Sequence, residues 1–249
     1  MGDWGTGNTV IETVGRHETS RRLEEVQGLE LWHLGRDRFD DFNEFVWGVY
    51  REAFVEGSQI PFSLEDIVHS SEEHFDSARV CAVIHPDGTI LGTWGLILKE
   101  KNDNRVLPIQ KEFGLSTAEI LETLQAPRAR FLFNGWRTAV DKHALEAHGL
   151  AANRSVFVFD LLLRGLTEGF LDPEQFVGVA EMEMLVLKYH RRVGIPWQIL
   201  GEAHHFWGRD RYPCGFRLSE MVEIMRTKYP ERYRFLYGRE KQSEPSGAG

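Results

Sequence analysis

The chain has 249 residues, enough for one large domain with a sizeable buried core. Its 42% apolar and 27% charged residues are typical of a soluble globular protein. No apolar run reaches the roughly 18 residues that a membrane-spanning helix needs. The formal net charge of -9 argues against a general nucleic-acid-binding protein, which normally has a basic face. We therefore expect neither a membrane span nor a nucleic-acid partner.

The two ends of the chain have the composition of loosely ordered segments. Residues 1–15 are rich in glycine, and residues 239–249 are mostly polar or small. Between them there is neither an internal repeat nor a low-complexity linker. We therefore expect a flexible N-terminus over 1–15, a single domain over 16–238 and a disordered tail over 239–249. The first residues lack the basic start and apolar middle of a secretory signal, which predicts a cytoplasmic protein.

Helical and strand-like patterns alternate from the start of the predicted domain. Apolar residues recur at helical spacing over 38–56, which predicts an amphipathic helix. Two strand-like runs flank the Pro-Asp-Gly segment at 86–88, a strong signal for a β-hairpin. Two candidate capping residues, Ser116 and Thr117, introduce a short helix over 115–125.

A strand and a long helix follow in the middle of the chain. The strand runs through "ARFLFNGWRTAV", and we expect Asn134 and Gly135 to interrupt it. A glycine inside a strand commonly marks a bulge or a close approach of another group to the backbone. Asn153 is a candidate cap for the next helix, which contains "RSVFVFDLLLRGLTEGF".

The remaining segments continue this alternation to the C-terminus. Ser219 is a candidate start of a closing helix, and Pro230 allows only a kink or a second short helix there. The order of elements predicts an α/β (α+β) fold with helices on both faces of a mixed sheet. Before the closing helix lie the strand "QFVGVA", the helix "EMEMLVLKYHRRVG" and strands near "PWQILGE" and "PCGFRL".

The sequence has no strong disulfide or metal signature. The two cysteines lack CxxC spacing, and we expect both to be packing residues. His204 and His205 are neighbours in a strand-like segment, so their side chains point to opposite faces and cannot easily bind one ion. His143 and His148 form an equally weak pair in a predicted loop. We therefore expect no metal site.

Four segments carry a family pattern in chain order: "YREAFVEG", "EEHFDSARVCAVIHPDGTILGTWGLIL", "FNGWRTAVD" and "HRRVGIPWQILGEAHHFWG". Together they resemble the GNAT acyltransferase superfamily, and within it the acyl-homoserine-lactone synthases and the long-chain N-acyl amino acid synthases. Arg137 matches the arginine of that family's "SRFAV" strand motif. The resemblance implies a GNAT-like fold whose mixed, twisted central sheet contains two parallel strands that splay apart.

Departures from the lactone synthases bear on the substrates. Those enzymes have an arginine where this chain reads Thr93-Trp94-Gly95, and a glutamate where it has Asn134. Both residues are tied to the lactone-forming substrate, which favours N-acylation of a different amine. The Arg/Gln-x-x-Gly-x-Gly/Ala loop of coenzyme-A-using members is missing between Val140 and Ser155. Acyl carrier protein is therefore as good a candidate donor as coenzyme A.

The resemblance places the pantetheine arm of an acyl thioester between the two splayed strands, where it pairs like an extra strand. The acyl chain would lie between the interrupted strand and "QFVGVA". A backbone N–H near Asn134 and Gly135 would stabilise the oxyanion, although Gly135 also fits an ordinary bulge. The residues expected along the arm are Trp136, Arg137, Thr138, Ala139 and Val140.

Helix starts and basic residues supply candidate contacts to the rest of the donor. Helix N-termini bind phosphate through free N–H groups and the helix dipole, so Asn153, Arg154 and Ser155 are candidates for the pantetheine phosphate. Capping alone is the alternative. No cofactor is expected to stay bound; acyl carrier protein or acyl-coenzyme A would be a co-substrate. An acidic carrier protein could meet basic side chains that are otherwise solvated, namely Arg154, Arg164, Lys188, Arg191 and Arg192.

Two residues are candidates for proton transfer. Glu181 ends the second splayed strand and is the nearest acidic candidate for a general base, with an N-terminal helix charge as the alternative role. In many superfamily members a tyrosine four residues before the glycine that ends the next helix protonates the thiolate. Counting back from Gly194 reaches His190, and an ordinary histidine pKa of about 6.5 suits that role.

The sequence thus predicts an N-acyltransferase. It would move a fatty acyl group from acyl carrier protein or coenzyme A to the amine of an amino acid or of a peptide side chain. A non-catalytic module of the same fold that binds acyl thioesters or regulates another protein is the alternative.

Overall fold

The fold is built on one mixed β-sheet. We describe it in a computed structural model over residues 17–54, 60–150, 154–170 and 172–238. Within these ranges the sheet has nine strands. They are β1 (Arg21–Val26), β2 (Leu29–His33), β3 (Ala78–Ile84), β4 (Ile90–Glu100), β5 (Phe131–Val140), β6 (Phe176–Met182), β7 (Gln198–Ile199), β8 (His204–Phe206) and β9 (Arg209–Arg217).

α-Helices occupy half of the connections between the described strands, and two more follow β9. Among the described residues, none is long and apolar enough to cross a membrane. The α-helices are α1 (Phe39–Glu52), α2 (Leu64–Glu72), α3 (Pro108–Phe113), α4 (Thr117–Thr123), α5 (Lys142–Ala147), α6 (Arg154–Leu166), α7 (Met184–Arg192), α8 (Leu218–Lys228) and α9 (Pro230–Tyr237).

The strand order is β1-β2-β3-β4-β5-β6-β9-β7, with β8 paired to β9 outside that path. Neighbours are antiparallel except β5 and β6, which are parallel. Parallel neighbours need a long crossover connection, and here α5 and α6 provide it. The sheet therefore contains a single parallel pair in its middle among the described strands.

Alternating side chains on the strands bury apolar surface on both faces of the sheet. Leu132 of β5 and Val177 of β6 pack in the core on the side of α1, α2, α3 and α4. Phe131 and Phe176, one position earlier, pack in the core on the side of α5, α6, α8 and α9. The period of two along each strand thus gives a core on each face. The mixed sheet with helices on both sides, predicted from the sequence, is confirmed.

One edge of the sheet differs from the prediction, and the two ends of the chain lie outside the described residues. The sequence analysis predicted neither β1, which lacks an alternating apolar pattern, nor β2, in which buried and half-buried residues alternate. The strand near "PWQILGE" has only two residues, whereas α9 confirms the second short helix begun by Pro230. The predicted loose ends, 1–15 and 239–249, and the capping residue Asn153 lie outside the described residues.

The interruption of β5 was predicted at the wrong residues. Asn134 and Gly135 pair regularly with β4, and the register shifts only between the partners of Trp136 and Ala139. Arg137, inside that shift, has a φ of 52°, in the left-handed region where glycine is usual. The bulge therefore lies at Arg137. A glycine lowers the energetic cost of a bulge at its own position, but the pairing with the neighbouring strand determines where the bulge forms.

Candidate active site

The parallel pair β5 and β6 separates partway along its length. The two strands pair from Phe131 opposite Phe176 up to Asn134 opposite Val179, and no further. Beyond Asn134, β5 stays paired with β4, and beyond Val179, β6 stays paired with β9. Backbone groups that face the gap therefore have no partner strand, and a bound peptide-like group could pair with them. We call this gap the β5–β6 opening.

Glu181 lies on β6 at the β5–β6 opening. Its Oε1 atom is buried and has no hydrogen-bond partner among the described residues. Burial raises the pKa of this carboxyl from 4.5 to about 7, and a backbone hydrogen bond, the charge of Arg211 and the amide of Asn134 oppose the shift only in part. A carboxyl of this kind exchanges its proton near neutral pH, as a general base must.

Asn134 fixes the last paired residue of β5 in place. Its side chain is fully buried. Its Oδ1 accepts a hydrogen bond from the backbone N–H of Ile109 in α3 at 3.2 Å, and its Nδ2 donates to the carbonyl oxygen of Gly135 at 2.8 Å. Asn134 thus anchors α3 beside the opening, where the sequence had suggested oxyanion stabilisation.

Arg137 is a buried cation on the same face as Glu181. Its side chain is 8% exposed, and its guanidinium stacks on Trp207 at 4.9 Å. Its Nε has no hydrogen-bond partner among the described residues, its Nη2 donates a long bond of 3.5 Å to the carbonyl of Ile67, and its guanidinium also hydrogen-bonds to Tyr50. No carboxylate of the described chain lies within 4.0 Å of it. Burial accordingly lowers the pKa of the Arg137 guanidinium.

The opposite face of the opening is apolar. A Cβ atom on Gly135 would lie 3.4 Å from the indole Nε1 of Trp94 and 3.6 Å from the Cβ of Ala180. The Trp94 N–H is itself buried without a hydrogen-bond partner among the described residues. A donor that the described protein leaves unsatisfied thus lies directly beside the opening.

An apolar cavity of about 20 Å³ begins at Gly135 and Trp94. This volume holds about one small group, so a longer apolar ligand could enter only if neighbouring side chains moved. Thr167 is its one hydroxyl-bearing wall residue, and that hydroxyl already donates to the carbonyl of Leu163. The other walls are Leu96, Phe133, Leu163, Leu166, Ile195, Trp197, Phe216, Leu218 and Met221.

Comparisons with solved structures bear on this architecture, whereas no family model and no curated protein matches the chain. FeeM, an N-acyl amino acid synthase from uncultured soil microbes, has a TM-score of 0.52 at 15% identity, over 83% of this chain and 93% of its own. A protein of Bacillus halodurans, bh2621, has a TM-score of 0.50 at 10% identity, over 86% and 98%. TofI, solved with an inhibitor and MTA, has a TM-score of 0.50 at 14% identity, over 84% and 96%.

The chain has a GNAT-type fold. At these identities the likeness concerns the fold alone. The GNAT-type fold accounts for the splayed parallel pair. The chemistry of the opening depends on the residues of this chain.

His190 lies within an aromatic cluster of the buried core. Its ring is buried 5.1 Å from that of Phe159 and 6.3 Å from that of Trp94. Burial lowers its pKa to about 4, and the charge of Arg232 acts in the same direction. Trp197 donates to His190 Nδ1 at 3.2 Å, so the neutral ring carries its hydrogen on Nε2. A neutral imidazole is a poor proton donor, so this geometry does not favour the acid role predicted for His190.

Three of the basic residues predicted to contact the phosphate or the carrier protein are bonded to other parts of this chain instead. Arg154 donates to Gln27 in the turn between β1 and β2, beyond β3 and β4 as seen from the opening. Arg164 is bonded to Glu24 and to the carbonyl of Phe235, and Arg191 to the carbonyl of Trp197. These three guanidiniums serve the fold itself. Ser155 lies in the first turn of α6, whereas Lys188 and Arg192 lie on the exposed side of α7.

Proposed function

We propose that this chain is an N-acyltransferase that uses an acyl thioester and works at the β5–β6 opening. The observation that carries the proposal is the end of the parallel pairing at Asn134 and Val179, with the buried carboxyl of Glu181 two residues beyond. The pantetheine arm would pair with β5 along Trp136 to Val140, and its amides would satisfy the backbone groups that face the gap.

Glu181 would be the general base. An amine in water is protonated at neutral pH and must lose a proton before it can attack a carbonyl carbon. With a pKa of about 7, Glu181 accepts that proton at physiological pH. The nitrogen then forms a bond to the thioester carbon, the carbon–sulfur bond breaks, and the thiolate leaves with a second proton from the nitrogen. The products are an amide and a free thiol.

Trp94 and the apolar cavity would hold the acyl group. The unsatisfied Trp94 N–H lies beside Gly135, where it could donate to the thioester oxygen as negative charge develops there. The first carbons of the acyl chain would enter the cavity that begins at these two residues. The sequence did not single out Trp94, although it lies in the segment where the lactone synthases carry an arginine.

Arg137 selects the acceptor in this proposal. Its described partners, Tyr50 and the carbonyl of Ile67, carry no full negative charge, so an anionic ligand would offset part of the cost of burying the Arg137 charge. The acceptor approaches from the face that carries Arg137 and Glu181, so a carboxylate on the acceptor could pair with Arg137 while its amine meets Glu181. Arg211 adds a second positive charge close to both residues. A free amino acid has both groups, which favours it over a peptide side chain.

The proposal is tested by mass spectrometry of products. The purified protein is incubated with acyl-coenzyme A or acyl carrier protein thioesters of graded chain length and with a panel of amines. Amide formation with free amino acids, and little with their methyl esters, is the expected result. Thioester binding without turnover across the whole panel would overturn the enzyme assignment and favour the non-catalytic module.

The role of Arg137 has its own test. Arg137→Lys keeps the charge but not the planar fork, and we expect it to raise KM for the amino acid at least tenfold while KM for the thioester is unchanged. Arg36→Lys is the matched control, because Arg36 lies on the same face but is already paired with Asp76 at 2.6 Å. Equal effects of the two substitutions would exclude a specific role for Arg137.

A further inference from the structure

Two histidines and one aspartate converge at a point outside the β5–β6 opening. His85 and Asp87 belong to the turn between β3 and β4, and His148 ends α5. One ligand atom from each of the three lies within 4.8 Å of the others. Asp87 Oδ1 is 3.0 Å from His85 Nδ1, and Asp87 Oδ2 is 2.8 Å from His148 Nε2.

The surrounding backbone holds these three side chains in place. Asp87 Oδ1 accepts the backbone N–H of Thr89 at 3.0 Å, and the turn is closed by the bond from His85 N to the Thr89 carbonyl at 2.9 Å. His148 Nδ1 lies 2.7 Å from the carbonyl oxygen of Ala144, to which it can donate its hydrogen. A carbonyl on the second ring nitrogen is the usual outer contact of a metal-binding histidine, because it directs the other nitrogen towards the ion.

The two imidazole rings lie 4.2 Å apart, and each directs one ring nitrogen to the carboxylate of Asp87. No lysine or arginine of the described residues forms an ion pair with Asp87. A single divalent cation would satisfy both nitrogens and the carboxylate together.

The geometry points to a divalent transition-metal site formed by His85, Asp87 and His148. Two imidazole nitrogens and one carboxylate oxygen suit Zn²⁺ and its neighbours in the first transition row. In a tetrahedral zinc site, ligand atoms lie about 3.3 Å apart, so the two contacts to Asp87 would widen slightly and one of its oxygens would turn towards the ion. The cluster is partly exposed, which leaves a fourth position to water. A bound ion would fasten the hairpin turn to α5, the helix that directly follows β5.

The test uses tag-free full-length protein, since a polyhistidine tag would bind the same ions. Zn²⁺ is titrated against a chromophoric chelator, and Co²⁺ is followed by its visible absorption, which reports on tetrahedral ligation. The wild type is expected to bind one equivalent of Zn²⁺. Asp87→Asn and His148→Gln are each expected to weaken binding at least tenfold and to remove the Co²⁺ bands.

His143→Gln is the matched control, because His143 lies on α5 but is mostly exposed and outside the cluster. It should bind Zn²⁺ like the wild type. Melting curves in EDTA check that the variants fold, and Zn²⁺ should raise the melting temperature of the wild type and of His143→Gln only. No uptake by the wild type, or equal uptake by His148→Gln and wild type, would overturn the proposal. This outcome is independent of acyl transfer.

Discussion

Glu181→Gln should stabilise the protein at alkaline pH while it abolishes the proposed catalysis. The pKa of Glu181 is raised from 4.5 to about 7 by burial. Below pH 4.5 the carboxyl is protonated in both the folded and the unfolded chain, so burial of its charge costs nothing. Between 4.5 and 7 the unfolded chain loses the proton first, and stability falls as pH rises. Above 7 the full cost remains, about 3 kcal/mol from 1.36 kcal/mol per pKa unit.

Urea unfolding of wild type and Glu181→Gln at pH 5 and pH 8.5 measures this cost. Any effect of the glutamine amide that does not depend on ionisation is the same at both pH values, so it cancels in the comparison. We expect the stability difference between variant and wild type to shift in favour of the variant by about 2–3 kcal/mol between the two pH values. Glu183→Gln, two residues further on, is the control for removing a carboxylate charge from the same segment. A difference that does not change with pH would refute the raised pKa of Glu181 and with it the argument for a base.

The remaining predictions concern rate, chain length and stability. Trp94→Phe keeps the ring but removes the N–H, and should lower kcat about a hundredfold with little change in KM; an unchanged kcat excludes Trp94 as an oxyanion donor. Leu163→Phe fills the cavity and should lower kcat/KM for long acyl donors but not for the shortest, measured across a chain-length series. Arg232→Met leaves the carboxylate of Asp160 buried without its 2.8 Å partner and should cost about 3–5 kcal/mol in urea unfolding, while adding Asp160→Leu should recover much of it.

The central strands were predictable because local runs of apolar residues indicate which segments are buried. The β3–β4 hairpin consists of two mostly apolar runs around a Pro-Asp-Gly turn, and β6 begins with five residues that are apolar or glycine. β1 is an edge strand with mostly polar residues, none of them fully buried, so no apolar period could reveal it. β2 was also missed, although its alternate residues are buried, because five residues are too short a run for the pattern to stand out.

The candidate site was predicted less completely than the fold. The resemblance indicated the strand pair and Glu181, but the bulge lies at Arg137, whose left-handed backbone is imposed by the pairing with β4. An ordinary histidine pKa would suit proton transfer by His190, but burial in the folded protein lowers the pKa of this residue to about 4. His148 meets Asp87 from 61 positions away in sequence, a contact that only the folded chain creates.

The central claim is that an acyl thioester occupies the β5–β6 opening. A crystal structure with a non-hydrolysable acyl-pantetheine thioether tests it most directly. We predict an arm that pairs with β5 along Trp136 to Val140, a carbonyl oxygen near the Trp94 N–H, and an acyl chain that enters the cavity beyond Gly135. An analogue bound elsewhere on the protein, with β5 and β6 separated by nothing but solvent, would contradict the account.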